Sequence, residues 1–180
     1  MNRIIKKYSS IWFVLALILI LQQMPVSANQ GDIPVEVPNF PVHLNGFAVP
    51  DNTQYPLLVY KGITYVPLTQ ELANLLNLTV VWNPHVSSLY VIADPTPKSN
   101  LSGLSEGTVN NKTKRFYAKD ADYPVYVNEQ PIDRTYPALN CQDITYFPLT
   151  WAIAVEQLGW SYSFDSVTGL TINSQNYSPD

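Results

Sequence analysis

Metal or acid–base chemistry in this chain would have to be built from His43 and His85, from carboxylates such as Glu71 and Glu156, or from Cys141. A copper site rich in imidazole needs several histidines, and these two are the full complement. Glycoside hydrolysis needs two carboxylates facing each other across a cleft. Glu71 and Glu156 fall instead in segments with helical apolar spacing, where a solvated surface is the ordinary place for a carboxylate. Cys141 has no second cysteine to pair with, which leaves a small buried hydrophobe or a reactive thiol free to bridge another molecule. There is no glycine-rich phosphate loop, no Gly-x-Ser-x-Gly elbow and no clustered ligand motif. The expectation is a protein that is not an enzyme, with no catalytic residues, no metal site and no cofactor. The alternative is a small secreted hydrolase or metal-dependent enzyme with an unrecognised site.

The elements that would position any site begin after an export-like segment. MNRIIKKYSS carries Arg3, Lys6 and Lys7 and no acid, and the apolar run Ile11 to Leu21 follows. Eleven helical residues rise about 16 Å, short of the roughly 30 Å core of a bilayer. Val26 and Ala28 then supply the small residues a signal peptidase reads, so residues 1–28 read as a signal peptide cleaved between Ala28 and Asn29. Cleavage leaves 7 basic against 14 acidic groups, a formal charge of −7. Nucleic acid and anionic lipid are poor partners for that surface, and no membrane span is expected after cleavage.

The rest of the chain is written twice. ITYVPLT (Ile63 to Thr69) returns as ITYFPLT (Ile144 to Thr150), FPVHLNG (Phe40 to Gly46) as YPVYVNE (Tyr123 to Glu129), and LNLTVVWN (Leu76 to Asn83) as LGWSYSFD (Leu158 to Asp165). The expected organisation is repeat 1 over 35–93, a linker over 94–114 and repeat 2 over 115–175. Each unit is too small for an independent core, so the copies should support one another. The linker, rich in Pro, Ser, Asn and Gly, reads in its first part as a mobile connector. His43 and His85 correspond to Tyr126 and Val167, so neither histidine belongs to the repeated framework.

Within a unit, Asn45-Gly46 and Lys61-Gly62 sit between β-rich runs and read as hairpins. Leu68, Leu72, Leu75 and Leu76 follow at helical spacing, with Gly159 placed as a left-handed cap in the second copy. In the closing strands, Leu78, Val80 and Trp82, and likewise Trp160, Tyr162 and Phe164, share one face, which predicts that these aromatics belong to the core. The fold class expected is α+β, with two repeats of antiparallel hairpins each packed on one short helix.

Asn45-Gly46, Tyr65 to Leu68, Trp82-Asn83, Tyr146 to Leu149, Leu158-Gly159 and Phe164-Asp165 together resemble the copper amine oxidase N-terminal domain-like, or stalk, module of secreted bacterial proteins. The likeness runs over about residues 38 to 175. It implies a non-catalytic secreted or envelope-associated module acting as spacer, adhesion element or binder, with cell-wall polysaccharide or another envelope protein as partner. In true amine oxidases, the resemblance implies, copper and the quinone belong to a separate large domain that this chain is too short to include.

The copies differ most at the helix. Gln70, Glu71 and Asn74 of the first are matched by Trp151, Ala152 and Val155 in the second, so Leu149 to Leu158 is apolar almost all round. Trp151 and Val155 are therefore expected to form a second contact surface, covered either from within the molecule or by a partner.

Overall fold

The two heptads pair with each other. In a computed structural model, which describes residues 32–96, 104, 106–108, 110–112 and 114–174, strand β5 (Ile63–Pro67) lies antiparallel to β12 (Ile144–Pro148), with Phe147 opposite Val66. Leu68 N–H donates to the Thr145 carbonyl and Leu149 N–H to the Thr64 carbonyl, each at 2.8 Å. The bonds are reciprocal because the residues are equivalent: the repeated sequence meets itself about an approximate two-fold axis. The expected signal segment and its Ala28–Asn29 cleavage point lie outside the described residues.

Around that pair, β4 (Leu58–Tyr60), β11 (Leu139–Cys141), β8 (Phe116–Asp120) and β1 (Ile33–Val35) complete a six-stranded sheet in the order β1-β8-β11-β12-β5-β4. Its two edges are joined where Glu36 and Val59 exchange backbone hydrogen bonds, at 3.2 and 2.6 Å, so the sheet is nearly a barrel. Val35, Leu58, Tyr65, Phe116, Leu139, Cys141 and Tyr146 form one buried cluster belonging to this sheet.

Two four-stranded sheets flank it, and each is built from both copies. β2 (Val42–Leu44) and β3 (Phe47–Ala48) of the first copy join β13 (Ser161–Asp165) and β14 (Gly169–Asn173) of the second, through a parallel β14–β2 pair. β9 (Val125–Val127) and β10 (Gln130–Pro131) of the second join β6 (Leu78–Asn83) and β7 (Ser88–Ala93) of the first, through a parallel β7–β9 pair. Each copy's opening hairpin thus completes the other copy's closing hairpin. The described residues from Ile33 to Ser174 form one compact unit, whose larger buried cluster draws on both halves.

Asparagine clamps lock the exchange. Asn45 donates to the Leu75 carbonyl at 2.6 Å and to Ser174 Oγ at 2.9 Å, and accepts from Ser174 N–H at 2.7 Å. Its counterpart Asn128 donates to the Gln157 carbonyl at 2.7 Å and accepts from Ala93 N–H at 3.0 Å. Each ties the end of its own helix to the last strand of the other copy. Both open type I′-like turns, with φ of 49° and 75° at Asn45-Gly46 and 44° and 69° at Asn128-Glu129.

The α+β expectation is overturned: the described residues hold fourteen strands and two helical segments of six residues, so the fold is mostly β. A six-residue helix spans about 9 Å and cannot form a layer of its own. The leucine spacing that suggests a longer helix is divided between structures, since Leu68 precedes the helix α1 (Gln70–Leu75) and Leu76 caps it. The core is instead closed by sheets, with each helix serving as a plug. The second segment, Ala152–Gln157, is a π-helix, where Leu158 N–H reaches back five residues to the Ile153 carbonyl. From its Thr cap to its left-handed terminator, the second copy has one residue more than the first, Thr150 to Gly159 against Thr69 to Asn77, and the wider turn absorbs it. No helix among the described residues is long and apolar enough to cross a membrane.

Candidate binding surface

The residues with chemical potential are not brought together. His43 lies half-buried on β2 opposite Thr171, while His85 is exposed in the β6–β7 turn of another sheet, its backbone N–H held by Asn83 Oδ1 at 3.0 Å. Among the described residues no group of three or more His, Cys, Asp or Glu is placed to hold a metal ion. Cys141 is buried in the central sheet, and that burial pushes its thiol pKa up, against a smaller opposing pull from Lys114. A thiol so placed is a poor nucleophile. Glu156 is exposed on the π-helix. Glu71 is exposed too and, with Glu106, lines a 340 Å³ cleft beside Thr53, Gln54 and Tyr55.

Aromatic side chains are the distinctive surface feature. The closing strands begin in the core and run out of it, because the hairpins project beyond the layer that covers them. Trp160 and Leu78 are buried, Tyr162 and Val80 half-buried, and Phe164 and Trp82 lie 58% and 46% exposed. The expectation that the whole aromatic face belongs to the core therefore holds only at its base. Each protruding ring is met edge-on by an aromatic preceding the other copy's first hairpin: Phe164 by Phe40 at 5.3 Å and Trp82 by Tyr123 at 5.1 Å. These contacts are equivalent under the pseudo-symmetry.

In the second copy the line continues. Trp151, 58% exposed, meets Tyr162 edge-on at 6.3 Å, whereas its counterpart in the first copy is Gln70. Val155, one turn further on, is half-buried against the main core. Trp151, Tyr162, Phe164 and Phe40 thus form a continuous strip, and burial raises the Tyr162 phenol pKa. At the Phe40 end the strip enters a 430 Å³ groove lined by Pro38, Pro41, Val49, Pro50 and the Asp51–Lys112 ion pair, which is 3.0 Å long. Sequence reasoning singled out Trp151 but not Phe40 or Phe164, because alternation gives the side of a strand and not how far the strand extends past its neighbours.

Comparison with known proteins yields no relative. No family model matches the chain, and neither a curated protein nor a solved structure is similar to it. The surface is therefore read from its own geometry.

Proposed function

We propose that this protein is a non-catalytic binding module that works outside the cell membrane and engages cell-wall polysaccharide. The observation that carries the reading is the Trp151–Tyr162–Phe164–Phe40 strip. Its two most exposed rings cost the fold burial it could have had, and the copy-1 position equivalent to Trp151 is filled by a glutamine within the same architecture. Tyr162 and Phe164 on β13, flanked by Trp151 at the helix start and Phe40 before β2, offer apolar ring surface to the C–H faces of sugars, and the phenol and the neighbouring ion pair offer partners for hydroxyl groups. The export-like N-terminal sequence and the resemblance to secreted stalk modules agree with an envelope location, whether secreted, extracellular or wall-associated.

The test is retention of the purified protein on isolated cell-wall sacculi. Wild type should sediment with the wall, and Trp151→Ala combined with Phe164→Ala should be released while melting near the wild-type temperature. Retention no greater than that of a control protein of similar charge would refute the reading. Among the described residues, the cleft that Glu71 and Glu106 line is a feature that favours a hydrolase instead. Release of soluble sugar from the sacculi, abolished by Glu71→Gln, would establish that reading.

A further inference from the structure

β6 is the terminal strand of the β10-β9-β7-β6 sheet, with β7 as its one ladder partner among the described residues. Natural sheets protect such edges with charge, proline or a bulge. Thr79 to Asn83 carries none of these: the residues are Thr, Val, Val, Trp and Asn, paired in unbroken register with Ser88 to Ile92. Val81 and Trp82 are 45% and 46% exposed.

The outer face beside this edge is also apolar. Ladder partners place Val81, Tyr90, Tyr126 and Pro131 in one row across the four strands, and the Tyr90 and Tyr126 rings stack at 5.1 Å with 12° between their planes. The other flanking sheet serves as an internal control. There the equivalent row is Ser163, Thr171, His43 and Ala48. The same architecture is thus satisfied by a polar row, so folding does not require the apolar one.

We infer that β6 is a self-pairing edge: two copies of this chain join β6 to β6 antiparallel, about a two-fold axis through Val81, into one eight-stranded sheet. The occupant follows from the edge itself. Over Thr79 to Asn83, an edge laddered on one side only among the described residues calls for an extended backbone, and an uncharged strand offers no repulsion to its own copy. Opposed residues in an antiparallel ladder point the same way, so a two-fold pairing that keeps both cores on one side must set a residue against itself. Centring on Val81 runs the two Tyr126–Tyr90–Val81 rows into a single stripe and sets Val80 against Trp82 of the second copy. Centring on Val80 would oppose Thr79 to Val81 and break the stripe. The β13 edge, with Ser161, Ser163 and Asp165, has no such row, so the assembly closes as a dimer rather than growing into a filament.

Sedimentation equilibrium of the purified protein, up to roughly 100 µM so that even a weak contact registers, should show a monomer–dimer equilibrium. Val81→Lys places two like charges opposite each other on the axis and should weaken dimerisation by about tenfold or more. Ser163→Lys, at the pseudo-equivalent position, should leave it unchanged. Val81→Cys should cross-link on mild oxidation, since residues opposed across the axis lie about 4.5–5.5 Å apart at Cα, within disulfide reach. This result stands even if the lysine variant fails to fold, and Ser163→Cys should not cross-link. A wild type that stays monomeric, a Val81→Lys dimer of undiminished affinity, or dissociation by Ser163→Lys would each overturn the proposal.

Discussion

Replacing Asn45 by alanine should be among the most damaging single substitutions in this protein. The side chain is 1% exposed and makes three hydrogen bonds, to the Leu75 carbonyl, to Ser174 Oγ and from Ser174 N–H. Truncation strands the Leu75 carbonyl and the Ser174 amide, and a buried polar group left unpaired costs about 1–3 kcal/mol. Alanine must also hold the φ of 49° that asparagine tolerates, which adds about 1 kcal/mol. The total is about 3–7 kcal/mol, or a fall in Tm of about 10 °C or more for a domain of this size. Asn45→Gly keeps the turn and loses only the bonds, so it should be about 1 kcal/mol less harmful than alanine. Asn128→Ala, which removes two bonds at a half-buried position, should cost about half as much as Asn45→Ala. Urea unfolding read by tryptophan fluorescence and far-UV circular dichroism gives all three values. A loss below about 1 kcal/mol for Asn45→Ala would refute the clamp, and equal losses for alanine and glycine would refute the strain component.

Burial raises the phenol pKa values of Tyr65 and Tyr146 well above that of a solvated tyrosine. Their contribution to stability should be intact below about pH 10 and lost as pH climbs from there, by up to about 1.4 kcal/mol per pH unit for each phenol. Tyrosinate absorbance should then show these two titrating only with unfolding, and their ionisation in a chain that still gives a native circular dichroism spectrum would contradict this. Tyr65 Oη is buried without a hydrogen-bond partner among the described residues, so Tyr65→Phe should leave stability unchanged or raise it by about 1 kcal/mol, and a clear fall in the urea midpoint would count against that. Residues 29–105 expressed alone should be largely unfolded, because β6–β7 would lack the β9–β10 hairpin and β5 would lack β12. Dispersed amide resonances with a sharp melting transition would contradict that. Elemental analysis after a chelator wash should find no stoichiometric copper, and the protein should not oxidise amines. Retained copper would reopen the oxidase reading.

The local grammar of this chain was legible in its residues. Asn45-Gly46 and Lys61-Gly62 form turns with both central φ positive, and Gly159 is left-handed. Such features depend on a few neighbouring residues, and steric preference alone selects them. The repeat was legible as well, since similarity needs no coordinates. Even the insertion that widens the second helix is visible as a change of offset, although the π-helical form it takes is not.

What the sequence left open was how the copies meet. Apolar spacing at Leu68, Leu72, Leu75 and Leu76 predicts a helix with a buried face, but it does not say whether helices or sheets will close the core. Hairpin exchange, which makes the fold mostly β, is settled by contacts between residues about eighty positions apart, and no local pattern encodes them. The same holds at the surface. Alternation put Trp82, Tyr162 and Phe164 on the inner side of their strands, and only the tertiary structure decided where those strands outrun their cover. Burial is a property of what lies opposite a side chain, and what lies opposite here belongs to the other copy.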